Sequence, residues 1–383
     1  MNLPYFDPRP KTRREDLYDR EEELRKLASF ISSGKPLVAV TGMRRLGKTS
    51  LILVALSELR YPYILVDARG LPPNPSYRDL YERIAIALNR FFEMFSGVVD
   101  SVRRYLERVK GIEFLGVSIS LSWSREKRVD LVQLFDSIDR WARDRGTRVV
   151  VVLDEVQRIV GRLGRVIAEV VAHLYDYGEA TTVIVSGSEV GVLYRFLGVE
   201  DPEHPLYGRH VSEVKLGRFS REQSVDFLIK GFNQFGVDPP RDAIEYAVDR
   251  LDGVVGWLVE FGLRCIERGE VSRDSVEIVM EKASALALSE LEHLLATRPR
   301  EARQRYLAVL EAIARGYNTW SSIERYVSQR LGSTIPKSAL HNILKNLIEM
   351  SVVEKIVEER NVSYRITDPV LEHGLRKSRH AAR

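Results

Sequence analysis

The sequence predicts an α/β fold with a mainly parallel sheet over the first half of the chain. Four continuous apolar runs are typical of strands buried on both faces of such a sheet: LVAVT, YILVDARG, RVVVVLDE and TTVIVSGS. Segments with the apolar spacing of amphipathic helices lie before and between these runs, beginning with residues 18–33. Because strands and helices alternate along the chain, we expect an α/β domain.

A long insertion separates the second apolar run from the third. It contains a helical segment, SYRDLYERIAIALNRFFEMF, and is followed by a further helix at about 130–143. Between these helices, GVSISLSW alternates serines with four apolar residues, Val117, Ile119, Leu121 and Trp123. This period of two predicts a half-exposed strand, one arm of a hairpin insertion at about 111–124.

Strand signals disappear after about Ser220. Three segments predict short helices there: REQSVDFLIKGFNQFG, PRDAIEYAVDRLDG and WLVEFGLRCIERGE. The tail shows helical spacing at about 301–315, 319–331 and 336–350, followed by the strand-like runs VVEKIVEE and VSYRITD. Three helices and a hairpin predict a winged helix. We therefore predict an α/β core at 1–219, a helical subdomain at 220–297 and a winged-helix domain at 298–383.

The composition indicates a globular chain and limits the class of function. Hydrophobic residues make up 44% and charged residues 29% of the 383 positions. We expect neither secretion nor a membrane span, and hence a cytoplasmic protein, because the start MNLPYFDPRP lacks an apolar segment and no later run approaches eighteen uncharged apolar residues. The single cysteine, Cys265, excludes an intramolecular disulfide and a thiolate metal cluster.

A glycine-containing loop follows the first apolar run and precedes an apolar helix. Its sequence matches G-x-x-x-x-G-K-[ST] in full: Gly42, Met43, Arg44, Arg45, Leu46, Gly47, Lys48 and Thr49, with Ser50 next in the helix. Glycines let the backbone wrap around phosphates, while the helix start offers N–H groups and a positive dipole end. We expect Lys48 to contact the β- and γ-phosphates and the Thr49 hydroxyl to bind Mg²⁺. The alternative is a tight turn with Lys48 as a solvated charge.

An acidic pair ends the third apolar run. Asp154 and Glu155 stand at the carboxyl end of a predicted parallel strand, where ligands of open α/β sheets bind. We expect Asp154 to hold Mg²⁺ and Glu155 to orient and polarise the attacking water. The alternative is an acidic pair that merely ends a strand. No N-K-x-D segment follows, so ATP is favoured over GTP as the nucleotide.

The end of the fourth apolar run and a later loop carry candidate residues for sensing the γ-phosphate. Ser186 or Ser188, at the end of TTVIVSGS, could reach the γ-phosphate, or the segment could be a simple Ser-Gly-Ser turn. Arg209, in the loop PLYGR, is the candidate phosphate-sensing arginine, with a surface ion pair as the alternative. If Arg209 acts across a subunit interface, an oligomer follows. The seven histidines lack metal-binding spacing.

The tail carries a positive charge and a polar helix face. Residues 300–383 contain 15 basic and 9 acidic side chains, a net +6 against −2 for the remainder of a chain whose total is +4. In the third tail helix, the side opposite the apolar stripe shows Ser338, His341, Asn342 and Lys345, and Lys337 precedes the helix at its amino end, where recognition helices usually meet bases. These residues predict contact with duplex DNA. The alternatives are a solvated face, a protein-docking module or a lid over a nucleotide site, since Glu358 and Glu359 beside the hairpin tip repel phosphate.

The chain resembles the archaeal ATPase family within the STAND class of signal-transducing P-loop ATPases. The resemblance rests on seven segments: DREEELRKL, GMRRLGKTSL, VVVVLDEVQR, VIVSGSEVGVL, PLYGRHVSEVKLGRFS, LDGVVGWLVEFG and YRITDPVL. It implies a P-loop NTPase core of AAA-like type, a helical lid subdomain at 220–297 and a winged helix. It also places Arg20, with Tyr18 and Asp19, near adenine. Val255 stands where the family's lid turn leads us to expect proline, which argues against nucleotide contact at residues 253–257.

The resemblance implies a slow ATPase that uses ATP and Mg²⁺ as a nucleotide-controlled switch. Three functions remain open at the level of sequence. The switch could act on duplex DNA, it could organise protein partners as a signalling module, or it could be a DNA translocase or helicase.

Overall fold

The computed structural model describes residues 4–116, 118–159, 161–296, 298–358 and 361–377. These residues form two compact units. The first unit contains residues 10–42 and 48–216, and the second contains the described residues of the segments 4–9, 43–47 and 217–377. No helix in the described ranges combines the length and the apolar character that crossing a membrane requires.

The first unit is built on a parallel sheet of five strands. The described part of this unit has seven strands along the chain, of which β3 and β4 form a separate hairpin: β1 (Leu37–Thr41), β2 (Tyr63–Asp67), β3 (Ile112–Leu115), β4 (Ser118–Leu121), β5 (Val149–Asp154), β6 (Thr181–Gly187) and β7 (Ser212–Lys215). The sheet has the order β2-β5-β6-β1-β7, and each neighbouring pair is parallel. β1, β5 and β6 are buried along their whole length, as continuous apolar runs predict. The predicted α/β class with a mainly parallel sheet is confirmed.

Helices cover the sheet of the first unit. They are α1 (Glu21–Ser32), α2 (Lys48–Leu59), α3 (Tyr77–Met94), α4 (Val99–Leu106), α5 (Leu131–Asp144), α6 (Gly161–Tyr177) and α7 (Val190–Leu197). The start of α3 is fixed by a capping box. The Ser76 side chain accepts a hydrogen bond from the backbone N–H of Asp79, and the Asp79 side chain accepts one from the backbone N–H of Ser76. Trp141 of α5 is buried, donates its indole N–H to Ser101 Oγ at 2.9 Å and meets Phe91 edge-on.

The predicted insertion forms a two-stranded antiparallel hairpin of β3 and β4. Ile119 and Leu121 point into the core, while Trp123 is 44% exposed, and Val117 lies outside the described residues. The Asn89 side chain pairs with the backbone of Ile119 through two hydrogen bonds of 2.7 and 3.0 Å. This contact ties the hairpin to α3.

The second unit is helical and ends in a winged helix. Its elements are α8 (Arg221–Asn233), α9 (Arg241–Leu251), α10 (Val255–Arg268), α11 (Arg273–Leu295), α12 (Arg300–Ala314), α13 (Trp320–Leu331), α14 (Lys337–Glu349), β8 (Val353–Glu358), β9 (Asn361–Ile366) and α15 (Pro369–Lys377). The strands β8 and β9 pair antiparallel to form the wing. The helix α15 packs on α11, where the Ser284 hydroxyl donates to Val370 O at 3.0 Å. The predicted three-domain boundaries stay predictions.

The N-terminal segment 4–9 belongs to this second unit. Phe6 is fully buried and meets Phe232 edge-on, with ring centroids 4.9 Å apart. A Cβ atom at Gly231 or Gly262 would lie 2.4 Å from the Phe6 ring. Both glycines are therefore needed for the close approach of this ring to α8 and α10.

Candidate functional site

The loop between β1 and α2 begins and ends at glycines with left-handed backbone. Gly42 has φ 142° and Gly47 has φ 89°, a region that side chains disfavour. Lys48, the first residue of α2, is buried and donates from Nζ to Gly42 O at 2.7 Å. The ammonium group therefore stands at the opening of the loop rather than in bulk solvent. This position is where a phosphate-binding lysine is required.

The two predicted metal ligands are hydrogen-bonded to each other. Thr49 Oγ1 donates to Asp154 Oδ2 at 2.9 Å, and the Ser186 hydroxyl donates to the other oxygen of the same carboxylate. Asp154 is only 1% exposed. A hydroxyl and a carboxylate are hard oxygen donors that suit Mg²⁺, which commonly completes its shell with phosphate oxygens and water. Among the described residues, no three or more His, Cys, Asp or Glu side chains are grouped so that they could hold a metal ion.

Glu155 is held by two side chains that converge on one of its oxygens. Its backbone is left-handed, with φ 54°, at the entrance to a 3-10 turn over Val156–Arg158. Ser188 Oγ donates to Glu155 Oε2 at 2.8 Å, and Gln157 Nε2 donates to the same oxygen and to Ser188 Oγ. The predicted water-orienting carboxylate and the predicted sensor serine are therefore in direct contact. Gln157 had not been predicted.

Gln157 is fixed by its own surroundings. It is buried, and a Cβ atom at Gly187 would lie 2.7 Å from Gln157 Oε1. The glycine at the end of β6 thus makes room for the amide. The sequence signal was a glutamine two residues after the acidic pair, but only the folded turn brings its amide back to Glu155.

Arg69 is a second residue of the site that the sequence did not indicate. β2 and β5 run in register, so that Asp67 stands opposite Asp154. Arg69 pairs with Asp67, with an Nε–Oδ1 distance of 2.9 Å, and one of its terminal nitrogens lies 3.7 Å from Asp154 Oδ2. Burial opposes ionisation of Asp67, but hydrogen bonds from Arg69 hold the pKa of its carboxyl below the usual range. Arg69 thereby adds a positive charge beside the carboxylate of Asp154, the predicted metal ligand.

Three other predicted residues of the first unit have structural partners. The Ser50 hydroxyl accepts a hydrogen bond from the Lys11 N–H at 3.0 Å. Arg20 is buried at the start of α1 and pairs with Glu23 at 3.0 Å. Arg209 pairs through Nε with Asp176 of α6 at 3.0 Å, and this hydrogen bond lowers the pKa of Asp176. The proposed roles of Arg20 toward adenine and of Arg209 toward phosphate stay predictions.

The centre of the loop, residues 43–47, belongs to the second compact unit. Arg45 Nη2 lies 2.7 Å from Glu290 Oε1 of α11, and Arg44 Nη1 lies 3.0 Å from Oε2 of the same carboxylate. The Arg45 guanidinium also stacks 4.0 Å from the Trp257 ring, and Arg45 O accepts from Gly256 N at 2.9 Å. Glu290 therefore bridges the two guanidinium groups, and residues 256–257 of α10 contact Arg45.

This cluster continues to the start of the last helix. Trp257 Nε1 donates to both oxygens of Asp368, at 3.0 and 3.1 Å. The same carboxylate accepts from the backbone N–H groups of Val370 and Leu371 and so caps α15. Burial raises the pKa of Asp368, while the nearby charge of Arg45 acts in the opposite direction. The contacts form a chain from Glu290 through Arg45 and Trp257 to Asp368.

The predicted polar face of α14 is exposed in the structure. All five of its residues lie on the solvent side: Lys337, Ser338, His341, Asn342 and Lys345. The apolar stripe of the helix is buried against the rest of the winged helix. On the wing, Val357 and its cross-strand partner Val362 are 62% and 37% exposed. Glu359 and Arg360 at its tip lie outside the described residues.

The sheet, the loop and the acidic pair define a P-loop ATPase with an attached winged helix. The chain belongs to the family of ATPase domains found predominantly in Archaea, whose model matches residues 17–261. A second model, the MCM protein C-terminal winged helix-turn-helix domain, matches residues 300–367. The family that the sequence motifs indicated is thereby confirmed.

Solved structures resemble the chain over nearly its full length. A Walker-type ATPase of Pyrococcus abyssi is 35% identical, with 97% of this chain and 99% of that chain covered and a TM-score of 0.79. The ORC2 protein of Aeropyrum pernix, in ADPNP and ADP complexes, is 15% identical, with 97% and 96% covered and a TM-score of 0.59. The second likeness shows the fold alone. The comparison with curated proteins gave no match.

Proposed function

We propose that the protein binds ATP with Mg²⁺, hydrolyses it slowly, and uses the nucleotide as a switch for a winged helix that binds duplex DNA. The observation that carries the enzymatic part is the direct hydrogen bond between Thr49 and Asp154, at 2.9 Å, next to a Glu155 held by Ser188. A hydroxyl, a metal-binding carboxylate and a fixed second carboxylate are the parts that phosphoryl transfer to water requires.

Each residue has a distinct part in this proposal. Lys48 exchanges its bond to Gly42 O for the β- and γ-phosphate oxygens, and Thr49 and Asp154 hold Mg²⁺. When bound, Mg²⁺ neutralises charge on the phosphate oxygens. Glu155 accepts a hydrogen bond from the attacking water and so orients and polarises it.

The switch is supported by the cluster around Arg45. The backbone of residues 43–47 must adapt to bound phosphates, while the Arg45 side chain is held by Glu290 and Trp257. Trp257 also donates to the carboxylate that caps α15, the helix that follows the wing, and in this proposal a change in the loop alters that contact. Nucleotide state can therefore act on the domain that carries the exposed α14 face.

A second candidate function is the docking of a protein partner on the winged helix. It is favoured by the exposed pair Val357 and Val362 on the wing, because exposed apolar side chains suit a protein surface better than phosphate. A translocase or helicase would require turnover that depends on DNA.

The test is ATP turnover measured with and without a random-sequence duplex, over a range of protein concentrations. The proposal predicts slow turnover that changes when the duplex is added. Turnover without any response to DNA, combined with no duplex binding at low salt, would favour the protein-docking function. A specific rate that rises with protein concentration would show that assembly completes the site, as an Arg209 acting between subunits requires.

A further inference from the structure

Four arginines lie within eight residues at the start of the winged helix. They are Arg298, Arg300, Arg303 and Arg305, and the only acidic residue in this stretch is Glu301. Helical geometry separates them, since residues 300 and 303 lie about 60° apart around α12 while residue 305 lies on the far side of both. We call Arg298, Arg300 and Arg303 the arginine cluster.

The arginine cluster has no carboxylate partner among the described residues. Elsewhere in the same unit arginines are commonly paired, as Arg241 is with Glu245 at 2.9 Å and Arg264 with Glu260 at 2.8 Å. In the cluster, the Nε atoms of Arg298 and Arg303 are buried and have no hydrogen-bond partner within the described chain. Arg300 is exposed and Arg298 and Arg303 are half-buried, so the cluster presents positive charge that no carboxylate of the described chain balances.

One member of the cluster is held in position by an aromatic ring. The Arg298 guanidinium stacks 4.3 Å from the ring of Tyr306, which is itself buried. The Tyr306 hydroxyl accepts a hydrogen bond from Asn346 Nδ2 at 2.7 Å. Asn346 follows Lys345 in α14, so the arginine cluster is joined to the helix that carries the exposed polar face. Stacking fixes the plane of the guanidinium and lowers the entropy cost of binding a ligand.

We infer that the arginine cluster binds the phosphate backbone of duplex DNA beside the exposed face of α14. The inference rests on the proposed DNA-binding role of the winged helix and names a part of the surface that α14 itself does not supply. Planar guanidinium groups bind phosphate oxygens in pairs, and contacts of this kind set the register of a protein on DNA without reading its sequence. Guanidinium groups also attract carboxylates, but the winged-helix fold and the exposed Lys337 and Lys345 of α14 favour duplex DNA, and polyglutamate serves as the competing ligand in the test.

The experiment is a salt titration of binding to a labelled random-sequence duplex by fluorescence anisotropy. The test variant is Arg300→Gln combined with Arg303→Gln. The matched control is Arg305→Gln combined with Arg241→Gln, which removes the same charge from the far side of α12 and from α9. We expect the test variant to lose at least about tenfold in affinity, and the slope of log affinity against log salt to fall by about 1.8. The control should lose less than about threefold.

Three further measurements separate the possible failures: ATP turnover, binding to polyglutamate and a charge-preserving variant. Equal losses in the test and control variants, with wild-type binding intact, would overturn the inference and leave the proposed function standing. If the wild-type protein binds no duplex at low salt, the DNA-binding part of the proposed function fails, and ATP turnover then reports separately on the enzymatic part. Tighter binding to polyglutamate of matched charge than to the duplex would overturn the choice of ligand. The pair Arg300→Lys and Arg303→Lys, which keeps the charge, checks that folding is retained and should bind between wild type and the Gln variant.

Discussion

At the scale of single residues, the geometry around Glu155 decides how the site can work. Its carboxylate is one residue beyond Asp154, the proposed metal ligand, and left-handed backbone at φ 54° turns it away from the strand direction. Ser188 and Gln157 then hold Oε2 in one place. A water-orienting group needs this fixed position because misplacement of a catalytic group by a fraction of an ångström lowers the rate.

Replacing Gln157 should therefore lower the rate of hydrolysis without weakening nucleotide binding. We expect Gln157→Leu to reduce kcat by about tenfold while the KM for ATP stays near the wild-type value, because only the orientation of Glu155 is lost. Gly187→Ala should act in the same direction, since its Cβ would lie 2.7 Å from Gln157 Oε1. Steady-state kinetics at varied ATP concentration measures both parameters.

Arg158→Ala is the control for this prediction, because Arg158 is exposed in the same turn. It should leave both kcat and KM unchanged. A rise in KM with constant kcat in Gln157→Leu would show that Gln157 serves ATP binding instead of positioning Glu155.

Part of the candidate site could be predicted from the sequence, and part could not. Lys48, Thr49, Asp154 and Glu155 were found because each occupies a fixed place in a local motif, and the structure brings Thr49 to Asp154 and Ser188 to Glu155. Gln157 and Arg69 were missed because their contacts arise from the bend after β5 and from the pairing of β2 with β5. Such contacts depend on tertiary structure and leave no local pattern.

At the scale of elements, the buried strands were the most predictable feature. Apolar runs long enough for a strand and bounded by turn residues have few other stable environments, and β1, β5 and β6 are buried throughout. The last helix, α15, was not predicted, because it spans only Pro369–Lys377 and its apolar residues are defined by packing on α11. The burial of Phe6 among α8 and α10 was also missed, since its partners lie more than two hundred residues away.

The cap of α15 gives the winged-helix end of the chain a pH-dependent stability. Burial raises the pKa of Asp368 in the folded protein, so the folded state binds a proton more readily than the unfolded state does. The stabilisation from this proton is fully present below the ordinary aspartate pKa and is lost as pH rises through the raised value. Asp368→Asn, which keeps the shape and an acceptor oxygen, removes this dependence.

The difference in unfolding free energy between wild type and Asp368→Asn should accordingly shift in favour of wild type as pH falls from 7 toward 4. Urea unfolding at a series of pH values measures it. Asp238→Asn, at an exposed position, serves as the control and should track wild type. A difference that stays constant across this range would rule out the proposed titration of Asp368.

At the scale of the whole molecule, the residues of the loop between β1 and α2 are assigned to both compact units. Gly42 and Lys48 belong to the first unit, and residues 43–47 between them belong to the second. The G-x-x-x-x-G-K-[ST] motif, which the sequence shows clearly, is therefore assigned partly to each unit. A local sequence pattern could not predict this assignment. The proposed switch rests on contacts within the second unit, where the loop residue Arg45 is bound to Glu290 and Trp257.

The central claim is that Lys48, Thr49, Asp154 and Glu155 form one site for ATP hydrolysis. The most direct measurement compares ATP binding and turnover, with Mg²⁺ present, in wild type, Lys48→Ala and Glu155→Gln. We predict that Lys48→Ala loses nucleotide binding, and that Glu155→Gln binds ATP as wild type does but hydrolyses it more slowly, by a factor of about 10² to 10⁴. Equal turnover in wild type and Glu155→Gln, or undiminished ATP binding by Lys48→Ala, would contradict the claim.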